Sequence, residues 1–390
     1  MSTPTSAPRN PAGWYPLLFA ASSVGVANSV VFSLLSNLQD RYGFGDAGLG
    51  LIAGSGFLVG LVGQVLLAPF ADRGHAKRLM LAGLATAVLG SIVFASANSL
   101  LMLVVARAIV GLSNSLFSPA ARAIVISIDE RQIARRLGTF SGMELAGFVT
   151  GPVVGGLLVG PLGVRLPFLV AGSCALLGLL LLSRRALPMP PEDDQQRLAF
   201  DLLRIPRIRA GVLMAVALFL PVGVYDATFD RYLTDMGGSD AVIGLAFLAY
   251  GLPFAILATT GGRLAERFGP LRASFVGTLA VVPLTVTYGF VGVPELIVGL
   301  SVVEGSIHAL AIPASQAVVA SGAPEGRAAA AQGLSGAATL AVAASLAFAA
   351  GGVYGWLGPE WMFSIVGALV TACAVAAVLA SRSRLSSSAR

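Results

Sequence analysis

Glu304 and His308 stand four residues apart in an apolar stretch, so on a helix they share one face. A carboxylate beside an imidazole can hold or pass a proton near neutral pH. The same pair can also be a neutral hydrogen-bonded unit that fixes packing. Three more ionisable residues, Arg107, Glu144 and Asp226, lie within apolar stretches. An ionisable group near the centre of a bilayer costs about 2.5–3.5 kcal/mol on insertion scales, so each needs a reason to be there. These five residues are the proton-coupling candidates. Asp226 and Asp230 repeat the spacing of four; Asp226 is expected to meet protons or a cationic substrate, and Asp230 to pair with Arg231 or water. Glu144 is expected to pair with Arg122 and act at a gate. Asn28, Asn114, Tyr225, Phe229 and Gln332 are substrate-cavity candidates, with plain helix packing as the alternative for each.

The elements that carry these residues are membrane helices. Of the 390 residues, 56% are hydrophobic and 11% charged, and mean hydropathy is +0.84. That leaves too little polar surface to cover the chain in water. Apolar segments recur at roughly 14–37, 47–71, 79–97, 100–126, 137–160, 166–183, 210–234, 241–262, 273–291, 296–320, 328–352 and 361–381, most near the length a bilayer requires. Twelve spans put both termini on one side. With that side taken as cytoplasmic, 21 of the 25 Lys and Arg fall there and only Arg41, Arg165 and Arg231 fall opposite, so the expected topology is multi-pass with both termini cytoplasmic. The first span lacks a basic leader region and is read as retained.

The connection from Ser183 to Arg209 carries prolines, an acidic run and six arginines, and reads as a cytoplasmic linker, 184–209. It divides a six-helix bundle, 1–183, from a second bundle with a short tail, 210–390. An internal repeat agrees: Asp72, Arg73 and Arg78 recur as Glu266, Arg267 and Arg272 at one offset. Cys174 and Cys373 sit in apolar segments and read as packing residues. The chain has two His and two Cys and shows no metal-ligand cluster, phosphate loop or nucleophile elbow, so neither an enzyme nor a metal site is expected. Its basic residues are spread over the loops, which argues against a nucleic-acid partner.

One stretch stands apart. GFVTGPVVGG places Gly147, Gly151 and Gly155 on one helix face, with Pro152 and Gly156 beside them. In water this would be a poor helix; in a bilayer, small residues four apart let helix backbones touch. Together with the two-half layout and the acid-Arg loops, it resembles the major facilitator superfamily, and within it the twelve-helix drug:proton antiporter branch. Asp72, Arg73 and Lys77 match the family's loop motif, as do Gly262, Leu264, Ala265, Arg267 and Gly269 in the second half, with Glu266 for the usual Asp. The fourth-span motif appears at Arg107 to Gly111, with Val110 where the family has glutamine.

The resemblance implies an all-α integral membrane fold of twelve helices in two pseudo-symmetric bundles, working by alternating access. It implies that Asp72, Arg73, Lys77, Arg78, Gly262, Glu266 and Arg267 latch the inner side. It also implies that the glycine motif packs against the other half to limit leak, and that Arg107 takes part in proton coupling. The function expected is proton-coupled efflux of a drug-like small molecule from a bacterial cell by a monomer in the cytoplasmic membrane, with the proton as coupling ion and no cofactor. Export or exchange of a natural metabolite, such as a sugar or siderophore, and a transporter-like ligand sensor are the alternatives.

Overall fold

The computed structural model describes residues 13–67, 75–128, 133–185, 187, 200–324 and 328–382. The described residues are almost wholly helical, and eleven stretches are long and apolar enough to cross a membrane. One bundle holds α1 (Trp14–Ser29), α2 (Leu35–Tyr42), α3 (Ala47–Leu67), α4 (Ala76–Ser96), α5 (Leu100–Ile128), α6 (Ile133–Leu162) and α7 (Arg165–Ser183). The other holds α8 (Pro206–Asp235), α9 (Asp240–Phe268), α10 (Pro270–Tyr288), α11 (Pro294–Gly322) and α12 (Ala328–Arg382).

The first expected span is broken. α1 gives way to a 3-10 turn at Val30–Ser33, and Leu34 leaves helical geometry at φ −125° before α2 begins. Ser29 turns its hydroxyl back onto the carbonyl of Gly25, and Ser33 gives its own to the carbonyl of Pro152 on α6. Serines that bond backbone in this way bend helices. Gly43 then stops α2 at φ +66°.

α12 is two passes, not one. Its regular backbone is interrupted at Gly358, with φ 80° and ψ 173°. The contacts with α8 show the reversal. Going up α8, Gly223 meets Ala343 and Asp235 meets Tyr354; coming back down, Thr228 meets Met362, and Met214 packs with Ala374 and Ala377. The chain therefore turns back at Gly358, and Pro359 opens the returning arm where its missing N–H is harmless.

The two bundles repeat each other in space at the offset legible in sequence. Gly111 of α5 lies on the backbone of Gly56 of α3, and Gly305 of α11 lies on that of Tyr250 of α9. Each residue of the second pair is 194 positions beyond its counterpart, the separation that also divides the bonded residues Ser36 and Asp230. The bundles touch by the same rule: Gly50 packs on Ala347 and Phe348, and Gly244 on Pro152 and Val153. All of these cross-bundle contacts lie toward the end where α2 meets α3 and α8 meets α9, opposite the Trp14 end. The molecule is shut there.

The backbone at Gly358 lies in a region open essentially only to glycine. Gly358→Ala should therefore lower stability by about 1–3 kcal/mol, read as a drop in thermal unfolding temperature in detergent.

Candidate functional site

Arg107 on α5 is buried, with 2% of its surface exposed. Its Nη1 donates to the backbone oxygen of Asn28 at 2.8 Å and to Asn28 Oδ1 at 3.1 Å. Asn28 completes the link by donating through Nδ2 to the carbonyl of Val110 at 3.3 Å. The guanidinium lies 4.8 Å from the Phe32 ring centroid and 5.9 Å from that of Phe57. Gly56 on α3 makes the room, since a Cβ there would come 2.5 Å from Arg107 Nε. The valine in the family's glutamine position is itself buried and contributes only its carbonyl.

Opposite, on α8 of the other bundle, Asp226 is buried with Oδ2 lacking a hydrogen-bond partner. Arg107 Nε also lacks one. The two side chains are near enough to feel each other's charge across the boundary between the bundles, with no hydrogen bond or ion pair joining them. A buried charge survives only where something compensates it; Arg107 is compensated first by the Asn28 oxygens and the faces of Phe32 and Phe57 in its own bundle.

Glu304 lies wholly inside the second bundle. Its Oε1 accepts from the Tyr225 hydroxyl at 2.8 Å and its Oε2 from the Tyr288 hydroxyl at 2.7 Å. The alternative reading of a hydrogen-bonded pair does not hold in this arrangement: His308 Nδ1 is 3.9 Å from Glu304 Oε1, and the imidazole packs edge-on to the Tyr250 ring with the carbonyls of Leu218 and Glu304 near. Two tyrosine hydroxyls reach the carboxylate first because they approach from α8 and α10. The rings of Tyr225, Phe229, Tyr288 and Phe363 form a cluster with centroids 5.3–6.1 Å apart. Tyr225 and Phe229, expected to line an open cavity, are buried within it. Sequence reasoning missed Tyr288; the available signal was a tyrosine in an apolar helix, whose hydroxyl needs a partner when buried.

Asp230 does not pair with Arg231. It is fully buried, and its Oδ2 accepts from the Ser36 amide at 2.5 Å. Arg231 turns instead to Asp40 at 2.5 Å and Asp235 at 2.7 Å.

Glu144 meets Arg122 at 2.9 Å and the Ser118 hydroxyl at 2.6 Å, toward the Trp14 end. Asn114 is exposed on α5. Lys77 Nζ donates to the carbonyls of Ser183 and Arg185 and so caps the end of α7, while Arg78 is exposed nearby. Gly262 faces open space, and Arg267 sits over the Phe268 ring. Asp72 and Arg73 lie outside the described residues, and so do the side chains of Glu266 and Gln332.

The glycine motif packs differently from the resemblance. Gly147, Gly151 and Gly155 lie on Ser22, on Ser29 and Val30, and on Ser33, all in the first bundle. Gly156, turned about 100° around the helix from Gly155, lies on the backbone of Asp240 in the second, beside the approach of Gly244 to Pro152. The spacing of four fixes one face, and that face is spent on α1 and the turn after it. Of the motif's glycines only Gly156 reaches across, with Pro152, Val149 and Val153 beside it.

Two bundles of membrane-crossing helices, shut against each other at one end with opposed charges buried between them, define a helical membrane transporter rather than an enzyme. The Major Facilitator Superfamily pattern matches residues 17–233 and again 211–389, and the chain belongs to that family. The multidrug resistance protein MdtG of Salmonella paratyphi C is 23% identical over 312 residues, covering 76% of this chain and 77% of that one. The MdtG of Enterobacter lignolyticus is 24% identical over 310 residues, covering 76% and 74%. Among solved structures, a bacterial homologue of the human lysosomal transporter Spinster, inward-facing and unoccupied, matches with a TM-score of 0.78 at 18% identity, covering 96% of this chain and 97% of that one. The nucleoside transporter NupG matches with a TM-score of 0.77 at 13% identity, covering 95% and 99%. At these identities the structures bear on fold alone.

Removing the hydroxyl that serves Glu304 Oε2 leaves a buried carboxylate oxygen short of a donor. Tyr288→Phe should cost about 1.5–3 kcal/mol in thermal unfolding, the range for hydrogen bonds to charged groups. Ser301→Ala, which removes a 3.5 Å contact to the same hydroxyl and a hydrogen bond to the Ile297 carbonyl in its own helix, should cost much less.

Proposed function

We propose that this protein exports a drug-like, amphipathic small molecule across a bacterial cytoplasmic membrane in exchange for protons, by alternating access. The observation that carries the reading is the Arg107–Asp226 opposition: an acid with a free buried oxygen in one bundle faces an arginine in the other. A proton taken up or lost by Asp226 changes the attraction between the bundles, which is what coupling requires. The MdtG relatives, named for multidrug resistance, favour a drug-like substrate.

In this reading the Trp14 end is cytoplasmic, supported by the loop charge bias, and the shut end is the outer one. Glu304, held by two tyrosines in one bundle, is a second proton-binding group, with His308 beside it. The Glu144–Arg122 pair lines the inner mouth. Lys77 fixes the inner end of α7, against which the neighbouring loop motif acts. Asn28 orients Arg107. One proton moving down about 150 mV supplies about 3.5 kcal/mol, enough for a gradient of a few hundredfold. The working unit is a monomer in the bilayer, without a cofactor.

Reconstituted protein with an imposed proton gradient should accumulate at least one lipophilic cation or neutral drug from a panel, and an uncoupler should abolish it. Asp226→Asn should lose uphill accumulation while retaining downhill exchange. Uphill transport that survives in Asp226→Asn would remove Asp226 from coupling; transport of metabolites alone would point to a metabolite exporter, and ligand binding with no flux to a sensor.

A further inference from the structure

The broken first span creates a helix terminus inside the protein. Because Leu34 leaves helical geometry, α2 starts afresh at Leu35, and the amides of its first turn have no partners within the helix. That of Ser36 points at the other bundle. Asp230 of α8 fills that position: its Oδ2 accepts from the Ser36 amide at 2.5 Å, and the residue has no exposed surface. A carboxylate there gains from both a charge-assisted hydrogen bond and the positive end of the helix dipole.

Two other hydrogen bonds from α2 cross between the bundles. Asn37 donates to Asp240 Oδ1 at 3.0 Å, and Asp40 accepts from Arg231 at 2.5 Å. Asp40 is 62% exposed, so its pair with Arg231 is screened by solvent and contributes little. The charged groups near Asp230 are Arg231, engaged with Asp40 and Asp235, and Asp240, engaged with Asn37. Arg231 forms its ion pairs elsewhere, and Asp240 is itself an anion; the partial positive charge of the helix terminus is what meets the carboxylate.

We propose that Asp230 is the latch of the shut end: its carboxylate, seated on the N-terminus of α2 in the opposite bundle, sets how much of the protein is closed there. The contact lies where the bundles must part if that end is to open, and it involves no substrate group. The role rests on the alternating-access reading, but its test reads conformation and not transport.

The test uses full-length protein in nanodiscs with Cys174→Ser and Cys373→Ser, and spin labels attached at Arg41→Cys on the α2 side and Ala241→Cys on the α9 side, both exposed at the shut end. Distance distributions give the ratio of open to closed populations. Asp230→Asn keeps an acceptor oxygen and loses the charge; it should raise that ratio about tenfold, equivalent to about 1.4 kcal/mol. Asp230→Glu should restore part of the closure, and Arg231→Ala should change the ratio by less than about twofold. A ratio unmoved in folded Asp230→Asn, or moved equally by Arg231→Ala, overturns the latch. If Asp230→Asn does not fold, hydrogen exchange at the Ser36 amide in the unsubstituted protein decides: exchange as slow as a helix interior supports the contact, and exchange at an unprotected rate overturns it. Failure of every transport assay with a shifted ratio would overturn the proposed substrate function and leave the latch standing.

Discussion

Backbone meets backbone at the boundary between the two bundles, and the shape of the closed end follows from that close approach. Gly50, Gly156, Gly244 and Gly351 each stand where a Cβ would strike the opposing chain, several of them against a carbonyl oxygen. Within a bilayer, helices gain little by hiding apolar surface from one another, so association depends on close packing and on hydrogen bonds. Glycine at these positions allows the bundles to come near enough for Asp230 to reach the Ser36 amide and for Asn37 to reach Asp240. A larger side chain at any of them would hold those polar partners apart.

The same economy governs the interior. Arg107 is held by the oxygens of Asn28 and the faces of Phe32 and Phe57, and Glu304 by two tyrosine hydroxyls. In each case the partners come from other helices, so a buried polar group also fixes the register of its neighbours. The two clusters differ in what they join. Glu304 ties together helices of one bundle, whereas Asp226 faces Arg107 across the boundary, and Asp230 seats on a helix end across it. Polar groups at the boundary bear on how the bundles meet; those within a bundle bear on its integrity.

Much of this was legible before any coordinates. The spans, the offset between the halves and the unusual standing of Arg107, Asp226 and Glu304 all come from local hydropathy and from the cost of charge in a membrane. What was not legible depended on partners distant in sequence. The spacing of Glu304 and His308 pointed to a mutual bond, but tyrosines from α8 and α10 took the carboxylate. Asp230 pointed to its neighbour Arg231, but the break at Val30–Ser33, which brings a helix end to meet it, lies in another span. The glycine motif was visible at once, yet which neighbour each glycine would face depended on the rotation of α6.

The sequence by itself therefore determined that the chain crosses a membrane many times in two related halves, because apolar length and period are properties of each segment alone. It also determined which charges demand an explanation. Only the tertiary structure decided who compensates them, which end is shut, and that Gly358 turns one long helix back into two passes. These depend on contacts between segments far apart in sequence, Ser36 with Asp230 and Gly50 with Ala347 among them, and a pairing at that range is set by the packing of whole helices, not by the residues that happen to meet.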